Sequence, residues 1–271
     1  MVFTKVNTGK CFLNLTTKNY KVVKTEINKH IKLLIVIPCY NEEESIGNLL
    51  QSLQSLSLPN VSITALPVND CSKDNTLSVI RKHTSTYLNL PVNLGIGGAV
   101  QSGYKYAYKN KFDIAIQLDG DGQHPINEIQ NLIQPILNNE ADVVIGSRFI
   151  TKQGFQSSTL RRTGIKYFKN LNRLLLGITI TDSTSGFRAL NIKALEIVND
   201  YYPDEYPEPE AIVLYHLNNL KIKEIPVVMH ERQGGQSSIR SFGSIYYMMK
   251  VTLGILFIYL RLKLNGKRHT L

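Results

Sequence analysis

Cysteine is scarce in this chain: Cys11, Cys39 and Cys71 are scattered through 271 residues. No two are close-spaced, which excludes a zinc knuckle, a redox pair and a disulfide framework, and makes a reducing compartment the default. The N-terminus lacks a long apolar run. Its mixed polar start, with Lys5, Lys10 and Lys18, does not read as a signal peptide and predicts a chain that is not exported. Charged residues make up only 19% and apolar ones 43%, the balance of an ordinary globular protein. Acid is the scarcer charge, 21 Asp and Glu against 31 Lys and Arg, for a net charge of +10. That surplus calls for an anionic partner: nucleic acid, anionic lipid or a phosphorylated substrate. Aromatic residues are not interleaved with the basic ones into a platform for bases, so nucleic acid is not expected.

No internal repeat or low-complexity linker divides the chain, so one catalytic domain accounts for most of its length. Residues 1–30 have weak periodicity and read as an extension, 31–240 as the catalytic domain and 241–271 as a C-terminal segment. From Ile31 to Ile37 the sequence is continuously apolar and β-branched, as in a strand buried on both faces, and Pro38 ends it. Glu42, Glu43 and Glu44 then suit a helix N-terminus, with Ile46, Leu49, Leu50 and Leu53 at helical spacing. The alternation continues with a strand over 63–68, helices over 75–83 and 98–108, a strand over 114–118, a helix over 126–137 and a strand over 143–145. The second half is less regular, with helices near 194–198 and 211–220 and a strand over 223–228. Such a series predicts an α/β fold, a mostly parallel sheet with helices on both faces. Its chemistry belongs at the carboxyl ends of the strands.

There lies Gln117-Leu118-Asp119-Gly120-Asp121-Gly122-Gln123-His124. Two carboxylates two residues apart are expected to point to the same side, and hard cations such as Mg²⁺ or Mn²⁺ take one or two carboxylates plus substrate phosphates. An EF-hand would need a carboxylate where Gln130 stands, and a haloacid-type phosphatase a Thr where Gln123 stands. A plain Asp-Gly turn competes on equal terms. Asp70 is read as a ligand to a base or ribose and Asp74, followed by Thr76, as a helix cap. The run Gly95-Ile96-Gly97-Gly98 opens a helix whose backbone N–H groups could approach an anion or nucleoside.

Taken in order, the segments 36–43, 68–76, 118–122, 142–149, 181–188, 206–210 and 231–238 resemble family 2 glycosyltransferases, in the branch of dolichyl-phosphate mannosyltransferases and bacterial polysaccharide glycosyltransferases. The resemblance covers roughly residues 31 to 250. It implies a GT-A fold, a nucleotide-diphospho-sugar donor, a Mg²⁺ or Mn²⁺ ion and inversion at the anomeric carbon. By position, Pro38, Tyr40, Glu42, Asp70 and Gly97 would line the nucleotide pocket, Asp119 would face ribose or sugar, and Asp121 would hold the metal. Arg148 would lie near the diphosphate, and Asp182 and Arg188 on the acceptor side. Relatives often carry Asp where this chain has Asn69, which leaves the base open. If a sugar hydroxyl attacks, a carboxylate must take its proton, with Glu208 and Glu210 the candidates and Asp182 beside them. If a polyprenyl phosphate attacks, no base is needed, and Arg232 and the Gly234-Gly235 loop would grip the phosphate, with Gln233 and Ser237 beside them on the diphosphate or acceptor side. The competing reading of Glu208 and Glu210 is an acidic first helical turn.

From Ile245 to Leu264 the chain is apolar and basic. Its uninterrupted core, 251–260, is shorter than the ~20 residues that span a bilayer. An interfacial helix on anionic lipid fits, placing the protein peripherally on the cytoplasmic face of the cell membrane. A helix packed on the catalytic domain or at a homodimer seam competes. The acceptor is then a lipid-linked glycan or a polyprenyl phosphate, and cell-surface polysaccharide synthesis the setting. A nucleotidyltransferase is the alternative enzyme, although Pro38-Cys39-Tyr40-Asn41 stands where its Gly-rich loop would be; a non-catalytic nucleotide-sugar binder is the alternative without catalysis.

Overall fold

The computed structural model describes residues 30–151, 159–229 and 243–264, and the compact unit to which nearly all of them belong is Ile31–Leu271. The extension before residue 30, the candidates Arg232, Gln233 and Ser237 and the Gly234-Gly235 loop lie outside the described residues.

Among the described residues, seven strands form one sheet. They are β1 (Ile31–Cys39), β2 (Val61–Asn69), β3 (Leu88–Asn89), β4 (Ile114–Gln117), β5 (Val143–Ser147), β6 (Arg188–Asn191) and β7 (Ile222–Pro226), in the order β3-β2-β1-β4-β6-β5-β7. All neighbours pair in parallel except β6, which runs antiparallel to both β4 and β5. The mostly parallel sheet expected from the alternation is therefore present, with one reversed strand inside it.

Because side chains alternate along a strand, β1 feeds two cores. Leu33, Ile35 and Ile37 pack with α1 (Ile46–Gln54), α2 (Thr76–His83) and α4 (Ile129–Leu137), the last preceded by a 3₁₀ turn at Ile126–Glu128. Leu34 and Val36 pack on the opposite face with α3 (Gly95–Lys109), α6 (Ile192–Asp200) and α7 (Pro207–Leu217). The four apolar positions expected to face inward from α1 are all buried. Its acidic neighbours are not in its first turn: Glu42 lies upstream, and its carboxylate accepts from Ser45 Oγ at 2.8 Å.

A third core joins Phe168 of α5 (Thr159–Leu176) and Val213 of α7 to Val251, Ile255 and Ile258 of α8 (Gly243–Leu264). Those three α8 positions form one inward stripe. On its other side α8 exposes Tyr246, Met249, Leu253, Phe257, Leu260 and Leu264, a second apolar stripe at helical spacing. Among the described residues no helix is long and apolar enough to cross a membrane.

The start of α3 touches the chain before α7. Gly97 donates its N–H to the Asp204 carbonyl at 2.8 Å, and a Cβ there would lie 2.0 Å from that oxygen and 2.2 Å from Pro203 O. The glycine run thus serves close packing of two backbones, and the Gly97 N–H expected to meet an anion is spent on a carbonyl. Backbone yields less readily than a side chain, so Gly97→Ala should cost about 2–3 kcal/mol, the upper part of the overpacking range. Gly177→Ala meets nothing within 4 Å and strains only a φ of +72°, worth about 1–2 kcal/mol. Denaturation midpoints measured on both variants check the ranking.

Candidate active site

The carboxyl ends of β1, β2, β4 and β5 and, because it is reversed, the start of β6 share one edge of the sheet. The strand β4 ends at Gln117, so Asp119 and Asp121 sit in the turn beyond it and the two-residue alternation of a strand no longer governs them. Their environments differ accordingly. Asp121 is 2% exposed and accepts the Gln123 N–H at 3.0 Å, whereas the Asp119 side chain is 34% exposed. His124 braces the turn. Its Nδ1 accepts the Asp119 N–H at 2.9 Å, which assigns the ring proton to Nε2, 3.5 Å from Asp119 Oδ2. The imidazole is itself buried against Phe187, centroids 5.0 Å apart. Sequence reasoning passed over His124, although its position five residues after Asp119 is the signal that could have found it.

Gly186 passes directly over this carboxylate. A Cβ at 186 would lie 3.1 and 3.2 Å from the two Asp119 oxygens and 2.7 Å from Gln117 Nε2, so the absence of a side chain there leaves the carboxylate its opening. No group of three His, Cys, Asp or Glu converges to hold a metal among the described residues. One or two carboxylates, with the remaining ligands from diphosphate and water, are nonetheless the donor set that Mg²⁺ commonly takes, and Asp119, the open member of the pair, fits a cation in that mode.

Arg148 follows β5. Its Nε and Nη2 each donate to an Asp182 oxygen at 2.7 Å, its backbone N–H to Asp182 Oδ2 at 3.0 Å, and Nη2 also to Thr184 Oγ1 at 3.1 Å. Burial works against the Arg148 cation, but Asp182 overrides it and, with Asp119 and Glu208 nearby, holds its pKa above the ordinary value. Asp182 has no exposed surface; instead of facing an acceptor, it orients Arg148. Arg188 is likewise fully buried, donating through Nε to Ser185 O at 2.7 Å and through Nη2 to Ser183 O at 2.9 Å. It pins the loop that carries Gly186 and has no face for an acceptor.

On the β1–β2 side, Pro38 is buried and Tyr40 exposed. The Glu42 N–H donates to Thr76 Oγ1 at 2.8 Å. Asp70 is 3% exposed and accepts the Leu94 N–H at 2.7 Å; burial pushes its pKa up while the Leu94 and Gly95 amides pull it down. A carboxylate read as a ligand thus also organises the start of α3. Asp74 accepts from Thr76 N at 3.0 Å and Thr76 Oγ1 at 2.5 Å, the capping contact expected at the start of α2.

Glu208 and Glu210 occupy the first turn of α7, with Pro207 at its first position. Residues two apart on a helix face nearly opposite ways, and only Glu208 turns toward Asp119. Its Oε1 accepts from Gln117 Nε2 at 3.4 Å, and that nitrogen is also 3.4 Å from Asp119 Oδ1. Burial raises the Glu208 pKa, Arg188 lowers it and Asp119 raises it again. Glu210 packs into the α7–α8 seam, where a Cβ on Gly254 would lie 2.5 Å from its Oε1; it does not share the site with Glu208.

Desolvation, then Asp204, Glu205 and Glu208, push the Glu210 carboxyl up to about 7 against the partial relief of Lys250. A carboxyl whose folded pKa exceeds its unfolded value gives its full stabilisation below the unfolded value, ordinarily 4.5, and loses it as pH rises through about 7. Glu210→Gln should therefore match the parent in thermal midpoint near pH 4.5 and exceed it at pH 8; a midpoint difference that ignores pH would contradict this.

The family described as Glycosyl transferase family 2 matches residues 34–198. The uncharacterised protein MJ1222 of Methanocaldococcus jannaschii is 34% identical over 74% of this chain and 82% of its own length. The UDP-N-acetylglucosamine–dolichyl-phosphate N-acetylglucosaminyltransferase of Methanococcus voltae is 30% identical over 82% of this chain and 96% of its own. Among solved structures, the glucosyl-3-phosphoglycerate synthase of Mycobacterium tuberculosis, in complex with Mn²⁺, UDP-glucose and phosphoglyceric acid, shares the fold at a TM-score of 0.64 and 18% identity, covering 85% of this chain and 80% of that one. With its reversed strand, its strand-end carboxylates and this match over more than half its length, the chain belongs to glycosyl transferase family 2 and is a glycosyltransferase.

Proposed function

We propose that the enzyme transfers a sugar from a nucleotide-diphospho-sugar to a polyprenyl phosphate, with inversion, at the cytoplasmic surface of the cell membrane, in cell-surface polysaccharide synthesis. The observation that carries this reading is the opposition, at one sheet edge, of the partly open Asp119 carboxylate and the fixed Arg148 guanidinium. One sign of charge suits a cation and the other an anion, which is the pairing a departing diphosphate needs. When bound, Mg²⁺ or Mn²⁺ neutralises charge on that diphosphate. The printed names of the relatives support the substrate classes: the Methanococcus voltae protein takes UDP-N-acetylglucosamine and dolichyl phosphate, and the solved neighbour holds Mn²⁺ with UDP-glucose.

An acceptor phosphate oxygen attacks the anomeric carbon from the face opposite the diphosphate. The new carbon–oxygen bond forms as the old one breaks, and the electron pair leaves with the nucleoside diphosphate. The attacking oxygen is already anionic, so no side chain has to remove a proton. Tyr40 and Glu42 would flank the donor's base and ribose, Asp119, with Asp121 behind it in the same turn, would hold the cation, and Arg148 would meet the diphosphate. Glu208, joined to Asp119 through Gln117, adds negative potential beside it. A sugar hydroxyl as acceptor is the second reading, favoured by the raised Glu208 pKa, since a weakened acid is a better base.

Thermal shifts with UDP and GDP, with and without Mn²⁺, test the donor side. A matching nucleotide raises the midpoint, and Asp119→Asn and Asp121→Asn remove the Mn²⁺-dependent part; no response to any nucleotide would sink the donor reading. Glu208→Gln separates the acceptors. Transfer to undecaprenyl phosphate keeps most of its rate, whereas transfer to a sugar hydroxyl falls about 10²–10⁴-fold.

The membrane reading rests on two helices that carry no acid. Neither α5 nor α8 contains an Asp or Glu; exposed Arg162, Lys166 and Arg173 lie on α5, and Arg261 and Lys263 end α8 beside its outward apolar stripe. Phe257 at 67% exposure and Leu253 at 51% are the centre of that stripe, the arrangement of a helix lying in an anionic interface. Sedimentation with vesicles containing phosphatidylglycerol should carry down the parent protein and leave Leu253→Glu/Phe257→Glu in solution. Equal sedimentation of the two would refute docking by α8.

A further inference from the structure

Glu224 lies in β7, opposite Ile145 of β5 in the parallel register, and through Arg188 of β6 level with Gln117 at the end of β4. Its two oxygens are fully engaged by the segment that leads into the active-site loop. Oε2 accepts the Thr181 N–H at 2.8 Å; Oε1 accepts the Thr181 hydroxyl at 2.8 Å and the Asp182 N–H at 2.9 Å. The Thr181 hydroxyl also meets Ser147 Oγ at 2.9 Å, one residue before Arg148. Asp182, held in this way by its backbone, then takes the Nε–Nη2 edge of the Arg148 guanidinium in a two-pronged contact.

We infer that Glu224 is a positioning residue for transfer, acting on Arg148 through Asp182. The chemistry of the contacts requires a carboxylate. Three donors converge on two oxygens, and an ionised carboxyl is acceptor-only, whereas an amide would turn an N–H₂ toward one of those donors. Asp182 cannot adjust on its own, because it is enclosed and its oxygens are committed to Arg148. A rotation of the Thr181–Asp182 backbone is therefore passed to the guanidinium plane. Displacements of about 1 Å at a charge-stabilising group can cost about 10²-fold in rate. The inference rests on the proposed reading of Arg148 as the grip on the diphosphate.

The test is a double-mutant cycle on the full chain, using undecaprenyl phosphate and whichever of UDP-glucose, UDP-N-acetylglucosamine and GDP-mannose turns over. Glu224→Gln lowers kcat about 10- to 100-fold with a smaller change in donor KM. In the Arg148→Lys background the same substitution has little further effect, because the planar fork it served is gone. Losses that multiply would overturn the inference and leave the reading of Arg148 standing; an Arg148→Lys variant with undiminished transfer would overturn both. Thr181→Val, which removes a single hydroxyl from the network and keeps the side chain's shape, carries the same cycle should Glu224→Gln not fold. Its smaller loss must also vanish in the Arg148→Lys background.

Discussion

A cation that is almost wholly removed from water, Arg148, organises the catalytic edge. Such a charge is tolerable only where a partner meets it with good geometry and further hydrogen bonds complete the set. Asp182 supplies that partner through two contacts of 2.7 Å, and the cost of leaving either member alone, typically about 3–5 kcal/mol, binds the end of β5 to the loop before β6. The open side of Asp119, the space under Gly186 and the brace from His124 all depend on that loop keeping its place.

The reversed strand is what makes this arrangement available. In a wholly parallel sheet the segment preceding a strand lies at the far edge from the chemistry. Because β6 runs backwards between β4 and β5, the residues before it, Asp182 through Phe187, arrive at the edge where Asp119 leaves β4. Arg188, the first residue of β6, donates through Nε to the Ser185 carbonyl and through Nη2 to that of Ser183, holding the loop down from its second end.

Much of the first half was legible because its strands are continuous apolar runs and its helices keep the 3.6-residue period. The helix α5 keeps that period too, with Ile165, Phe168, Leu171 and Leu175 at helical spacing, but its sequence is polar on average and it was not foreseen. The antiparallel sense of β6 cannot be read from Arg188-Ala189-Leu190-Asn191, since four residues say nothing about direction. Among site residues, the Asp119–Asp121 pair stood out by its spacing, but only folded coordinates distinguish an open carboxylate from an enclosed one. Arg188 and Asp182 were placed on the acceptor side by the resemblance alone, and position in a motif carries no information on burial; that is a property of the loop they hold. Glu208 and Glu210 both read as candidate bases in sequence, with Glu208 the first, and a rotation of about 200° between them on α7 separates a neighbour of Asp119 from a seam residue.

The loop between Ile180 and β6 is tied at both abutments, by Glu224 on one side and Arg188 on the other. A span anchored in this way cannot gain or lose a residue without releasing one of its footings. This stretch thus acts as a spacer of set length ahead of β6, and any change of length there has to be absorbed at one of its two ties.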